Sequence, residues 1–293
     1  MDIVYISDDN YFDITLVSVN SLLKNSNIEN AEVIIVYVGE RINEKKIKVK
    51  NYNEKIFNKK IKLISVDKDL VKSIHTKNHV SQAAYVKFYI PLLFKDKDEI
   101  LFIDGDTLVL EDISELKNVV KDIEEPIAAV WNPFYNYDNH LFNKNKAYKT
   151  FNSGVIYMNL KKLRELNSTK LLLDALAIIN EDSKLNDQAV FNYVFVNNWY
   201  ALPCSYNVQS TFYFHNSDKL EINNQRLIDI RNNPKIVHFT SNSKPWMYRN
   251  SHPFKENFRK EYLSVFGKFP ENKKSIKGYV QKIKEKKLLR SQY

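Results

Sequence analysis

The sequence predicts an α/β protein built on an open, mostly parallel sheet flanked by helices. Three observations carry this. Over the first two thirds of the 293 residues, apolar runs rich in β-formers alternate with stretches of helical periodicity. Val33–Val38 is unbroken in its apolar character, as in a strand buried on both faces. Acidic clusters follow two of the predicted strands, and ligands of such sheets sit at the strands' carboxyl ends.

The elements follow in order. Ile3–Ser7 is a short apolar run that ends in the turn and cap residues Ser7, Asp8, Asp9 and Asn10. Leu16, Val19, Leu22 and Leu23 then recur at helical spacing. After Val33–Val38 comes a Lys-rich helix with Ile42, Ile47, Val49 and Ile56 as its inner face, and Ile61–Val66 alternates as a third strand. Ala83–Leu93 reads as a helix and Glu99–Asp104 as a fourth strand. Further on lie a strand at Gly154–Asn159, helices at Lys170–Asn180 and Asn186–Val196, and a short strand at Lys235–Phe239. Tyr206–Asn233, rich in Asn and aromatics without clear period, reads as a long loop or small satellite.

Hydrophobic residues make up 44% of the chain, enough for a substantial core, and with 5 Gly and 8 Pro there is no flexible linker. One catalytic-size domain over residues 1–267 and a small appendage over 268–293 are expected. Cys204 is the single cysteine, so no intrachain disulfide forms, which fits a reducing compartment. The amino terminus lacks the basic-then-apolar layout of a secretory signal, and no apolar stretch is long enough to span a bilayer. A soluble cytoplasmic protein is expected. Nine Lys or Arg residues from Lys268 onward face only Glu271 and Glu285, so +7 of the net +9 lies in the tail. There Ile276, Tyr279, Val280 and Ile283 have helical spacing among the lysines. A basic amphipathic segment of this kind can lie on anionic lipid, here the inner face of the cell membrane, without taking part in catalysis. No nucleic-acid-binding motif is present.

The sharpest chemical signal is Ile100-Leu101-Phe102-Ile103-Asp104-Gly105-Asp106-Thr107. An apolar strand delivers carboxylates at i and i+2, which in extended chain point the same way and can converge on a hard divalent cation. A plain Asp-Gly turn is the alternative reading. Downstream, His238 ends a strand and Lys244-Pro245-Trp246 follows; an imidazole could ligate the same cation and an ammonium could meet a phosphate. Phe151-Asn152-Ser153-Gly154-Val155 puts an amide at a strand start. Asn186-Asp187-Gln188 opens a helix, where capping is the simpler role.

Taken in order and spacing, Asp8-Asp9-Asn10, Asp104-Gly105-Asp106, Phe151-Asn152-Ser153-Gly154-Val155, Asn186-Asp187-Gln188 and His238 through Lys244-Pro245-Trp246 resemble glycosyltransferase family 8, from Met1 to about Trp246. The resemblance implies a GT-A fold, a UDP-hexose donor (galactose or glucose), a retaining reaction and Mn²⁺, with Mg²⁺ as the alternative. It implies Asp104, Asp106 and His238 as metal ligands, Asp8 on the uracil with Asn10 beside it, and Lys87 near the donor. Lys244 would meet the diphosphate. Asn152, Asp187 and Gln188 would surround the transferred sugar, Asp187 and Gln188 being the catalytic pair. The implied acceptor is a cell-surface glycan or its lipid-linked precursor, such as lipopolysaccharide, lipooligosaccharide or a glycoprotein. Two positions depart from a galactosyltransferase of the family: Ser241 replaces a Gly and Asn132 an Asp.

Gln at position 188 is a poor nucleophile. Retention is then expected through attack on the leaving-group face, with the departing phosphate oxygen taking the acceptor proton and Gln188 and Asp187 stabilising positive charge on the sugar. Two rivals stand beside this reading. Asp104-Gly105-Asp106-Thr107-Leu108 also resembles the nucleophile loop of haloacid dehalogenase-like phosphatases, although that loop belongs on a first strand. A nucleotide-sugar-binding protein without turnover would keep the same residues.

Overall fold

The computed structural model describes residues 1–28, 30–55, 61–66, 70, 82–133, 149–179, 187–270 and 274–290. Among these, the strands are β1 (Asp2–Asp8), β2 (Val33–Val38), β3 (Ile61–Ser65), β4 (Glu99–Ile103), β5 (Thr107–Val109), β6 (Ile127–Trp131), β7 (Phe151–Asn159), β8 (Tyr200–Ala201), β9 (Val208–Gln209) and β10 (Ile236–His238).

The chain divides into two compact units that interleave in sequence. The first comprises Met1–Phe12, Ile28–Asp104 and Glu115–Leu202. Its sheet has seven strands in the order β3-β2-β1-β4-β7-β6-β8. The pairs β1–β2, β1–β4, β2–β3 and β6–β8 are parallel, whereas β7 runs antiparallel to both β4 and β6. The sheet is therefore Rossmann-like on one side of β4 and mixed on the other. The inner strand β2 is buried on both faces because it is apolar throughout: every residue of it except Val38 is buried. On one face Val4, Ile34, Phe102 and Ile156 pack against Tyr85, Phe88, Phe191 and Phe195. Each such side chain contributes about 1.5–3 kcal/mol when fully buried.

The second unit comprises Asp13–Asn27, Gly105–Ser114 and Pro203–Tyr293. Its small sheet is β5-β10-β9. Ile14 and Val17, from the helix Phe12–Asn25, share a core with Leu108, Val237, Phe239, Phe258 and Tyr262. Phe258, Tyr262 and Phe266 line one face of the helix Lys255–Phe266, which ends at Gly267 with φ 71°, a left-handed cap that glycine takes without steric cost.

Several boundaries differ from the sequence expectation. The expected helix Ala83–Leu93 is a 3-10 stretch, Gln82–Tyr89, followed by the short α-helix Ile90–Leu93. Pro91 lies in the first turn of that helix, where its missing N–H costs nothing. β7 begins at Phe151 rather than Gly154, since β6 pairs with its start. The helices near residues 170 and 187 span Ser168–Ile179 and Asp187–Val194. Ile56, Asn180 and Asn186, also named in those expectations, lie outside the described residues. Tyr206–Asn233 is a run of short elements, with the helices Ser217–Leu220 and Asn224–Asn232 capped by Asn216 and Asn223. The last described helix, Ile276–Arg290, belongs to the second unit together with the early segment Asp13–Asn27. Local composition is blind to this, because the chain changes unit inside ordinary helices and turns.

That helix presents Gly278, Gln281, Lys282, Glu285 and Leu289 inward, half-buried at helical spacing. Ile276 is 87% exposed and Tyr279 56% exposed on the opposite face, with Val280 and Ile283 beside them. No helix among the described residues is long and apolar enough to cross a membrane.

Candidate active site

In the first unit, β1 ends at Asp8, whose Oδ1 accepts the backbone N–H of Asn10 at 2.9 Å and of Tyr11 at 3.0 Å. This Asx-type turn fixes the loop that follows the strand. Asp9 is tied down separately. Its Oδ1 accepts from Tyr37 Oη at 2.8 Å and lies 3.1 Å from Arg41 Nε and 3.2 Å from Lys45 Nζ. Burial works against the Asp9 carboxylate, yet these three partners hold it below its ordinary pKa, while burial and Asp9 push Tyr37 up to about 12.

The end of β4 brings Asp104 beside Lys87. Lys87 Nζ is 3.2 Å from Asp104 Oδ1, 2.7 Å from Asp187 Oδ2 and 3.1 Å from the Ser153 carbonyl oxygen, and it lies over the Phe102 ring. Lys87 is buried. Burial opposes its charge, but Asp104 and Asp187 outweigh that and raise its pKa above the ordinary value. Ser153 Oγ donates to the same Asp187 oxygen at 2.9 Å. Gln188 follows in the first turn of the same helix. Its Oε1 accepts from Asn152 Nδ2 at 2.8 Å and from the Ser153 backbone N–H at 3.3 Å. A backbone donor cannot be an acceptor, so the Gln188 oxygen is the end that points back at the strand, and its NH₂ is the end directed elsewhere.

In the second unit, Gly105 presses against the helix Phe12–Asn25: a Cβ there would stand 2.3 Å from Thr15 Oγ1 and 3.3 Å from Thr15 Cα. Only glycine fits that approach. Asp106 follows. Its Oδ2 is 2.7 Å from Lys244 Nζ and its Oδ1 is 3.2 Å from His238 Nε2. Burial by itself would raise the Asp106 pKa, but Lys244 and His238 hold the carboxylate far below its usual range. His238 Nδ1 lies 3.1 Å from Asn207 Oδ1. With that oxygen accepting, Nδ1 donates to Asn207 and Nε2 is the ring nitrogen that faces the carboxylate. A proton or a cation between Nε2 and the carboxylate oxygen satisfies that contact. Asp106 and His238 set an oxygen and a nitrogen donor side by side within this unit, so the residues fit a divalent ion.

The model of the family described as "Glycosyl transferase family 8" matches residues 2–250. The chain belongs to glycosyltransferase family 8. It is similar to General stress protein A of Bacillus subtilis (strain 168), 29% identical over 267 residues, which cover 88% of this chain and 91% of that protein. It is also similar to the lipopolysaccharide 1,2-glucosyltransferase of Escherichia coli (strain K12), 27% identical over 258 residues, covering 84% and 72%. Among solved structures, the galactosyltransferase LgtC, crystallised with donor and acceptor sugar analogues, superposes with a TM-score of 0.74 at 19% identity, covering 96% of this chain and all of that one. The fold is thus that of the GT-A glycosyltransferases.

For this glycosyltransferase, the structure groups the expected residues as two local sets. Lys87, Asp104, Asn152, Asp187 and Gln188 form one in the first unit, with Asp8 and Asn10 at the end of β1. Asp106, His238 and Lys244 form the other. Asn132 is buried in the β6–β7 region, its N–H donating to the Thr150 carbonyl oxygen at 2.8 Å. Ser241 Oγ donates to the Ser243 carbonyl oxygen at 3.0 Å within the loop that leads to Lys244. Sequence reasoning missed Ser153, Asp9 and Asn207 as partners. Ser153 lay inside a motif already singled out, whereas Asn207 sits in the Asn-rich stretch where no periodicity marks it.

Proposed function

We propose that this glycosyltransferase moves galactose or glucose from a UDP-sugar to a glycan acceptor, with retention at the anomeric carbon and with assistance from Mn²⁺ or Mg²⁺. The observation that carries the reading is the pairing of Asp106 with both His238 and Lys244. A carboxylate, an imidazole and an ammonium suit a cation–diphosphate pair, and Gly105 alone separates Asp106 from Asp104 in the chain. When bound there, the divalent ion would offset the negative charge that grows on the leaving diphosphate.

The chain's own residues divide the remaining work. Lys244 exchanges its contact with Asp106 for the diphosphate. Asp8 accepts the uracil N3–H through the oxygen its turn does not use. Asp187, held by Lys87 and Ser153, accepts from a hydroxyl of the transferred sugar as a fixed, charge-compensated group. Gln188 offers its NH₂ to the sugar, because two protein donors occupy its oxygen. In that orientation Gln188 serves as an orienting donor to the sugar beside the charge-stabilising role expected of it. The leaving phosphate oxygen takes the acceptor's proton, so attack occurs on the face the diphosphate leaves.

The acceptor class is a lipopolysaccharide-type or other cell-surface glycan, by similarity to the E. coli glucosyltransferase. The exposed apolar face of Ile276–Arg290 meets an anionic membrane carrying a lipid-linked form of it. The phosphatase alternative loses its basis, since the Asp104 strand is fourth in chain order and not first. The deciding experiment is UDP release from a panel of UDP-hexoses with Mn²⁺ and with chelator. Release from UDP-galactose or UDP-glucose only with metal supports the reading; UDP binding without release from any donor would leave a binding protein in its place.

A further inference from the structure

The loop between His238 and Lys244 is held from behind by the segment Tyr248–Ser251. Arg249 Nη2 donates to the Asn242 carbonyl oxygen at 2.6 Å, and Asn250 Nδ2 donates to the Ser243 carbonyl oxygen. The same segment grips the helix Ile276–Arg290. Arg249 Nη1 donates to Gln281 Oε1 at 3.3 Å, and the Ser251 N–H donates to Glu285 Oε2 at 2.8 Å. Ser251 Oγ donates to the Lys282 carbonyl oxygen at 3.3 Å, and Lys282 lies over the Tyr248 ring. Lys255 Nζ secures the turn by donating to the carbonyl oxygens of Met247 and Asn250 at 2.9 and 3.0 Å. One guanidinium thus spans the loop and the tail helix, and a planar fork with fixed donor directions transmits position better than a flexible ammonium would.

We infer that the carboxyl-terminal helix is a brace for the diphosphate-binding loop: Arg249, seated by Gln281, is a positioning residue that sets how well residues 241–244 receive the donor. The inference rests on the reading of that loop as the diphosphate site. It gives the tail a part in donor binding, which the sequence alone assigns only to membrane attachment. The faces are separate, because Gln281 and Glu285 point inward while Ile276, Tyr279, Val280 and Ile283 point to solvent. A preorganised loop loses less freedom on binding, so loosening it raises the donor's dissociation constant without touching any group that contacts the donor.

The test uses full-length protein carrying Gln281→Ala with Glu285→Ala, and separately Gln281→Glu, which keeps an acceptor for Arg249. Calorimetry with UDP and Mn²⁺ should show about five-fold weaker binding in the double variant, which deletes two hydrogen bonds whose loss reaches the donor only through the loop, and parental affinity in Gln281→Glu. Hydrogen exchange on the metal-free protein should show faster exchange across residues 241–247 in the double variant alone. A parent that binds UDP, with a double variant that binds equally and exchanges at the parental rate, overturns the brace and leaves the proposed function standing. A parent that fails to bind UDP overturns both.

Discussion

Lys87 Nζ lies 2.7 Å from Asp187 Oδ2, at the buried meeting point of the 3-10 stretch, the end of β4 and the first turn of the helix Asp187–Val194. One ammonium there serves two carboxylates, since Asp104 is its other partner. A buried pair of this kind adds little net stability, but removing one partner leaves an uncompensated charge. Lys87→Met should therefore destabilise the protein by about 3–5 kcal/mol in urea unfolding and abolish UDP release. Lys87→Arg should recover most of the stability but less of the activity, because a guanidinium cannot reproduce the point contact with both carboxylates and the Ser153 carbonyl oxygen. Wild-type stability in Lys87→Met would show that the carboxylates are not held by this pair.

The Asp106 carboxylate lies 3.2 Å from His238 Nε2 and 2.7 Å from Lys244 Nζ. Asp106→Asn should keep the near-ultraviolet circular dichroism of the parent and lose UDP release by about 100-fold or more, the scale of removing one electrostatic group from a transition state. Mn²⁺ should raise the parent's melting temperature and leave that of the variant unchanged. Full turnover in excess chelator would remove the metal from the reaction.

Burial inside an aromatic cage of Tyr213, Phe214, Phe239 and Phe254 pushes the His252 pKa down to about 3, from an ordinary 6.5. Between these values the unfolded chain binds the proton and the folded chain does not, so stability is full above about pH 6.5 and declines as the pH falls toward 3. The decline should approach about 1.4 kcal/mol per pH unit. Urea unfolding at pH 6.5 and 5 should show the parent losing about 1.6 kcal/mol more than His252→Gln over that interval, the slope being half its limit at pH 6.5. Parallel slopes would mean that His252 titrates freely in the folded state.

How far the sequence reached depends on what each residue's signal was. β1, β2 and β4 announce themselves because a strand covered on both faces needs apolar residues at nearly every position, and the edge strand β3 does so by its alternation of apolar and polar residues. β6, Ile127–Trp131, has the same apolar character, but its five residues carry no flanking periodicity in the sequence. The helix Lys255–Phe266 went unread: Phe258, Tyr262 and Phe266 recur at helical spacing before Gly267, but a charged background obscures that spacing. In the site, motifs marked the groups with distinctive chemistry: Asp104, Asp106, Asn152, Gln188, His238 and Lys244. Their hydrogen-bond partners are ordinary residues whose roles exist only after folding. Asn207 meets His238 across 31 positions of chain, and Ser153 meets Asp187 across 34. The orientation of Gln188, which decides whether it offers an oxygen or an NH₂, depends on the Ser153 N–H and is invisible to any spacing rule.

The last prediction concerns the outward face of Ile276–Arg290. A soluble helix ordinarily turns its apolar side inward, but here Gln281, Lys282 and Glu285 make the inward contacts and Ile276, Tyr279, Val280 and Ile283 face solvent. The exposed stripe is interleaved with Lys277, Lys284, Lys286 and Lys287. Apolar side chains can enter a bilayer interface while lysines reach its headgroups, each adding about 1 kcal/mol near an anionic surface at low salt. The full-length protein should sediment with phosphatidylglycerol-containing vesicles and come off as salt shortens the Debye length. The solvent-face variant Ile276→Asp with Tyr279→Asp should lose sedimentation while keeping parental melting temperature and parental turnover on a soluble acceptor, because both side chains are more than half exposed. Turnover on a vesicle-borne acceptor should fall in that variant, since enzyme and acceptor no longer share a surface. Equal sedimentation of parent and variant would assign the binding to lysine charge alone. No sedimentation of the parent would make the exposed stripe irrelevant to lipid.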